Sequence, residues 1–200
     1  MYLKFLNTLS YCASLRLPSE YQEVHSLEAT GTQYVDTGIV FDKDKQINVD
    51  ALCTSGTVWG VGVSGNANTT ASDSGGSIYM TLGDYYAFGF GRRIYKYNTI
   101  DHKLLKSEDF GVTFIEVKQY TRSGDFVPSE TISIGAAHQG GYIATLIGII
   151  YSVEILDNTS GTPLAVLVPC YRISDSKTGF YDIIRNIFLP NLGTNEFIIE

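Results

Sequence analysis

The chain has 200 residues, a formal net charge of −7, 44% hydrophobic and 12% aromatic residues, which fits one folded domain and excludes a disordered composition. The acidic balance argues against nucleic acid and against an anionic membrane surface, because both require clustered Lys and Arg. Cys12, Cys53 and Cys170 are odd in number and far apart, which argues against a disulfide framework and against a zinc site.

Residues 1–13 superficially resemble a signal peptide, but Asn7, Thr8 and Ser10 interrupt the apolar run and no convincing cleavage site precedes Arg16. Tyr2, Phe5, Leu6, Leu9, Cys12 and Ala13 recur at helical spacing, so residues 2–15 are expected to form a short amphipathic helix or irregular arm. Such a helix is marginal alone, and its apolar stripe needs either the domain's own flank or copies of itself in an oligomer. Leu17-Pro18-Ser19 ends it, because proline disfavours a helical residue before it. No stretch reaches the ~18 apolar residues of a membrane-spanning helix.

From there the chain reads as β throughout. Residues 24–29 and 33–35 are expected as two short strands across a Thr30-Gly31 turn. Ile47, Val49, Ala51 and Cys53 alternate with polar residues, and Trp59, Val61 and Val63 alternate with glycines, so both runs read as strands with Trp59 in the core. Residues 64–76 form a polar loop. Residues 78–82 and 85–90 then flank Gly83-Asp84 as a hairpin. Later strands are expected over 112–120, 131–136 and 143–156. The central hairpin follows: Ile147, Ile149, Tyr151, Val153 and Ile155 share one buried face, and 157–161 (DNTSG) turn the chain. The strand at 164–171 is apolar on both sides and is expected to be covered on both. Ten or more short strands mean a sandwich or a barrel.

Two segments carry a resemblance to a known family. Gly31, Thr32, Gln33, Tyr34, Val35, Asp36, Thr37 and Gly38 resemble the opening motif of concanavalin A-like (laminin-G-like) jelly-roll domains of phage and gut-bacterial surface proteins. Residues 148–153, Pro169-Cys170 and residues 179–183 are similar to the closing segments of the same group, with Ile149 where the group often carries a basic residue. The resemblance spans residues 17–193 and is weak in the middle. It implies an antiparallel jelly-roll β-sandwich over 18–200 whose two ends lie close together, preceded by the arm at 1–17.

The superfamily includes glycosidases, which need two carboxylates flanking the scissile bond. No E-x-D-x-E strand exists here; Glu154 and Asp157, or Glu108 and Asp109, fall on opposite sides of an extended chain. His25, His102 and His138 are scattered and no G-x-S-x-G elbow is present. Gly-rich residues 89–93 lack a phosphate-binding pattern. The resemblance also raises calcium, for which Asp73, Asp84, Asp101 and Asp125 offer loop oxygens, but no spacing specifies a site. Neither a metal nor another cofactor is expected. Asn68 and Asn158 fit glycosylation sequons by chance, given no secretion signal.

Binding chemistry remains. Tyr85, Arg92, Arg93, Tyr95 and Tyr97 offer a Tyr/Arg surface, either a glycan platform or plain cover for a sheet or interface. Tyr2, Phe5, Leu6 and Leu9 are the expected oligomerisation or attachment residues. The expected function is non-enzymatic: a structural or adhesive part of a phage virion, folded in the host cytoplasm as a homo-oligomer, with a trimer favoured. Other virion proteins and a cell-surface glycan are its expected partners. The alternative is a carbohydrate-binding module at a bacterial cell surface, and a glycoside hydrolase comes behind both.

Overall fold

The computed structural model describes residues 17–41, 45–61, 71–74, 77–79, 85–87, 91–98, 103–107, 113–119, 130–139 and 142–200. The arm, with Tyr2, Phe5, Leu6 and Leu9, lies outside them, as do His102, Glu108, Asp109 and the acids at 84, 101 and 125. The described residues contain no helix and form antiparallel sheets built from β1 (Tyr21–Glu23), β2 (Leu27–Thr30), β3 (Val35–Val40), β4 (Lys45–Ser55), β5 (Thr57–Val61), β6 (Ala71–Ser74), β7 (Ser77–Tyr79), β8 (Tyr85–Ala87), β9 (Gly91–Asn98), β10 (Lys103–Ser107) and β11 (Ile115–Gln119). The later strands are β12 (Thr131–Ile134), β13 (Ala136–Gln139), β14 (Tyr142–Thr145), β15 (Ile147–Asp157), β16 (Pro163–Arg172), β17 (Thr178–Asp182), β18 (Ile187–Pro190) and β19 (Ile198–Ile199).

An 11-stranded sheet runs β11-β10-β9-β4-β15-β16-β17-β18, with β1, β2 and β19 attached to it, and a 6-stranded sheet runs β3-β12-β5-β6-β7-β8. One core joins them. The larger sheet contributes Ile47, Val49, Ala51, Cys53, Ile150, Val153, Ile155, Leu167 and Phe180; the smaller contributes Val35, Val58, Trp59, Val61, Ile132 and Ile134. Trp59 packs on Phe41 with ring centroids 5.6 Å apart, a core position as its strand pattern predicts. This is a β-sandwich in the antiparallel all-β class.

The central hairpin forms as expected. Asp157 Oδ1 accepts the Ser160 N–H at 2.8 Å and the Thr159 N–H at 3.1 Å, and Gly161 takes φ 71°. Those N–H groups favour the ionised carboxyl and lower its pKa. Three details differ from the sequence pattern. First, Ile150 stands opposite Ala51 and Ser152 opposite Asp50, so Tyr151 is the extra residue of a β-bulge. The bulge resets the alternation: Leu146, Gly148 and Ile150 are buried before it and Val153 and Ile155 after it, whereas Ile147 is 47% exposed. Second, β16 is buried on one side (Ala165, Leu167) but only half-buried at Leu164, Val166 and Val168. Third, the Thr30-Gly31 turn does not close a hairpin; β2 lies in the larger sheet and β3 in the smaller, so the chain changes sheets there.

The bulge has a topological consequence. β15 and β16 are paired from Val153↔Leu167 to Leu156↔Pro163 and diverge on the other side of Tyr151. Beyond that point Ile147 to Ile150 pair with β2, and Cys170 to Arg172 pair with β1. β19 adds to the free side of β2, Ile198 opposite Glu28. The first and last described strands thus fill a fork in the hairpin, so both ends of the domain meet there.

The polar residues of the terminal segments hold that closure. Gln33 is 1% exposed. Its Oε1 accepts the N–H groups of Thr30 (2.8 Å) and Thr32 (3.1 Å), and its Nε2 donates to the carbonyl of Glu196 at 3.0 Å. Asn191 Oδ1 accepts the N–H of Tyr34 at 3.1 Å, and the Leu192 N–H reaches the Tyr34 carbonyl at 2.8 Å. A Cβ on Gly193 would stand 1.7 Å from the Thr32 carbonyl oxygen, so only glycine lets the two segments approach. Replacing Gln33 with alanine removes the acceptor of the Thr30 and Thr32 N–H groups and the tie to Glu196, and is expected to lower unfolding free energy by about 2 kcal/mol, read from chemical denaturation.

Candidate functional site

The proposed Tyr/Arg surface is divided by the fold. Tyr85 opens β8 at the end of the smaller sheet, whereas Arg92, Arg93, Tyr95 and Tyr97 lie on β9 of the larger one. In register Arg93 stands opposite Ala51, Tyr95 opposite Val49 and Tyr97 opposite Ile47. Arg92 is the member of this group whose side-chain contacts define a site.

Arg92 faces outward, away from the core, beside β4. Its Nε donates to Asp50 Oδ1 at 3.1 Å and its Nη2 to Asp50 Oδ2 at 2.8 Å, a two-pronged pair that fixes the guanidinium plane. That plane lies 3.8 Å from the ring centroid of Tyr151. His25 meets the same Tyr151 ring in an edge contact, centroids 5.5 Å apart. Next along the same face, Asn48 donates to Glu154 at 2.7 Å and accepts from Gln46 at 2.8 Å. Asp50 and Asn48 are only 5% and 6% exposed, so this polar row is held by its own bonds.

The row depends on the bulge and the fork together. Without the extra residue, Tyr151 would fall in phase with Val153 and Ile155 and enter the core. His25 stands in the bend between β1 and β2 at the mouth of the fork, which brings it to Tyr151. Sequence patterning places Asp50 outward correctly. It gives no sign of His25, and it puts Tyr151 on the wrong side; the consecutive Ile149-Ile150 pair is the one trace of the phase change. The backbone of His138 belongs to β13, opposite Ile143.

A second cluster decorates the other branch of the fork. Tyr21 on β1 reaches across β16 to Tyr181 (centroids 4.8 Å) and Phe188 (5.2 Å), and Arg172 lies 5.4 Å from the Phe188 centroid. Arg172 is held by Asp175 through Nε–Oδ1 at 3.0 Å and Nη2–Oδ2 at 2.6 Å. Cys170, fully buried, belongs to this side and not to the main core. Burial pushes its thiol up to about 12, so it stays protonated, a small apolar filler and not a nucleophile.

Two further acids of the terminal segments, Asp182 and Glu196, serve the scaffold. Asp182 is fully buried; it accepts the N–H of Ile184 at 2.9 Å and pairs with Arg185, whose Nη1 donates to the Thr37 carbonyl of β3 at 2.7 Å. Glu196 Oε2 accepts from the N–H (2.9 Å) and hydroxyl (2.7 Å) of Thr178. Among the described residues no group of three or more His, Cys, Asp and Glu side chains is arranged to hold a metal ion. No model of a known protein family matches the chain, and no curated protein matches it significantly.

Two measurements check this geometry. Cys53 and Cys170 are both buried and outside any disulfide, so neither should react with a maleimide in the native protein, and both should react in denaturant, as read by peptide mass mapping. The Arg172 guanidinium holds Asp175 down to about 2 from 3.8. A lowered folded pKa means the pair's stabilising effect is present above pH 3.8 and fades as pH falls toward 2. An NMR titration should place the Asp175 midpoint near 2, and Arg172→Gln should return it toward its ordinary value.

Proposed function

We propose that the protein is a non-enzymatic structural or adhesive component of a phage particle, a fibre, tail or capsid-decorating protein, in which the sandwich faces outward. One observation carries the reading: Asp182, Glu196, Asp175 and Asp50 are each bound to backbone N–H groups, a hydroxyl or an arginine that holds the scaffold together. Carboxylates tied down in this way stiffen a domain and leave it no general acid or nucleophile at those positions. The concanavalin A-like resemblance of residues 31–38 and 148–153 points the same way. So does the amphipathic pattern of residues 2–15, which suits attachment or trimerisation.

The second reading is a carbohydrate-binding module of a bacterial surface protein. It is favoured by the outward Arg92–Tyr151–His25 stack, since an aromatic face flanked by planar polar groups suits a sugar ring.

Light scattering on the full chain and on a chain lacking residues 1–17 separates these outcomes. The first reading expects an oligomer, a trimer in the favoured case, that dissociates when the arm is removed. A monomer unaffected by the deletion counts against it. Tyr151→Ala should weaken glycan-array binding if the second reading holds. Hydrolysis of any member of a broad polysaccharide panel, lost on one acidic substitution, would overturn both.

A further inference from the structure

We propose that the chain cross-links itself: the ε-amine of Lys96 forms an amide bond with the side-chain carbonyl carbon of Asn48, Glu154 moves the protons, and ammonia leaves. The product is a covalent rung between β9 and β4 in the larger sheet. The reaction goes beyond the function proposed above and does not rest on it.

Register brings the three residues into one row. Lys96 stands directly opposite Asn48 across β9 and β4, and Glu154 stands directly opposite Asn48 on its other side, across β4 and β15. Residues directly opposite in an antiparallel pair have Cβ atoms about 5 Å apart, within the span of a lysine stem. Asn48 is only 6% exposed, and both ends of its amide are engaged. Gln46, two residues away on the same face of β4, donates from Nε2 to Asn48 Oδ1 at 2.8 Å. Asn48 Nδ2 in turn donates to Glu154 Oε2 at 2.7 Å.

Each contact has a part in acyl transfer. The Gln46 donor sits on the oxygen where negative charge develops when Cγ is attacked, so it stabilises the tetrahedral intermediate. Glu154 sits on the leaving nitrogen, the place of a general acid. A lysine attacks only as the neutral amine, and a carboxylate in the same row accepts the proton that its ammonium must lose. The lone pair of Nζ forms the new C–N bond at Cγ, and the Cγ–Nδ2 bond breaks with its pair on nitrogen. Glu154 gives that nitrogen a proton and takes the one that Nζ sheds. One amine and one amide thus become one amide and one ammonia, with nothing oxidised or reduced. Neighbouring strands hold the reactants side by side, which replaces a bimolecular encounter, and burial of Asn48 keeps water from competing for Cγ.

Mass spectrometry of the folded full chain, denatured for the measurement, tests this. The expected mass is that of the sequence less one ammonia. Trypsin should release residues 46–92 joined to residues 94–103, the cut after Lys96 being lost with its free amine. Lys96→Arg and Asn48→Ala should each restore the full mass and separate the two peptides. Glu154→Gln keeps a polar side chain opposite Asn48 but moves no proton, and should slow linking about a hundredfold in samples taken over time after synthesis. Circular dichroism and melting curves establish which variants are folded, and the mass and peptide map of the unsubstituted chain decide the matter if none is. The proposal is overturned if the folded chain keeps its full sequence mass, or if the two peptides separate on digestion. It is equally overturned if the loss of ammonia persists in a folded Lys96→Arg chain, or if a folded Glu154→Gln chain links as fast as the original.

Discussion

The structure depends on the extra residue at Tyr151. A bulge there bends β15 away from β16, and two strands that were partners no longer satisfy each other's backbone. The N–H and C=O groups of 147–150 on one side and 170–172 on the other need new partners, since buried orphans cost as much as lost hydrogen bonds. The beginning of the domain supplies them, β2 to one branch and β1 to the other, and β19 extends the first. The way β1, β2 and β19 join the larger sheet follows from filling that gap.

Filling it requires the chain to change direction and sheet within a few residues, and polar side chains make that possible. Gln33 pairs the N–H groups freed by the Thr30–Thr32 turn and ties them to the segment around Glu196. Asn191 and Arg185 do the same along the exposed side of β3, where the groups of Thr37 and of Tyr34 just before the strand would otherwise leave an open sheet edge. Asp182 is buried and ionisable, yet it is surrounded by donors, the arrangement that makes such a group tolerable. Motif-like clusters of polar residues at the two ends are thus explained by closure, without invoking a reaction.

What the scaffold presents outward sits on the two branches of the fork. One carries a polar row, Gln46, Asn48 and Asp50, capped by Arg92, whose guanidinium carbon stands 3.8 Å from the Tyr151 ring centroid. The other carries Tyr21, Tyr181 and Phe188 with Arg172. Both use an arginine clamped by an aspartate and resting against a ring, which fixes a flexible side chain. Both present planar, polar and aromatic groups on the sheet.

The sequence by itself determined the class of fold and most of its strands. Alternation at Ile47–Cys53 and around Trp59, the DNTSG turn and the strands that pair as β7 and β8 are local signals, set by side-chain period and turn chemistry; Gly83-Asp84 itself lies outside the described residues. It also placed Asp50 outward, because that needs only period two. Tertiary structure alone decided the rest. A bulge inserts one residue without altering local composition, so the run from Ile147 to Ile155 read as unbroken while Tyr151 had in fact turned to the outside. Which strands share a sheet is likewise set by long-range pairing, and so Tyr85 parted from Arg92 and residues 24–35 proved a crossing and not a hairpin. His25 joined Tyr151 only because two distant segments met at the fork, a contact paid for by closure of the whole domain and written in no stretch of neighbouring residues.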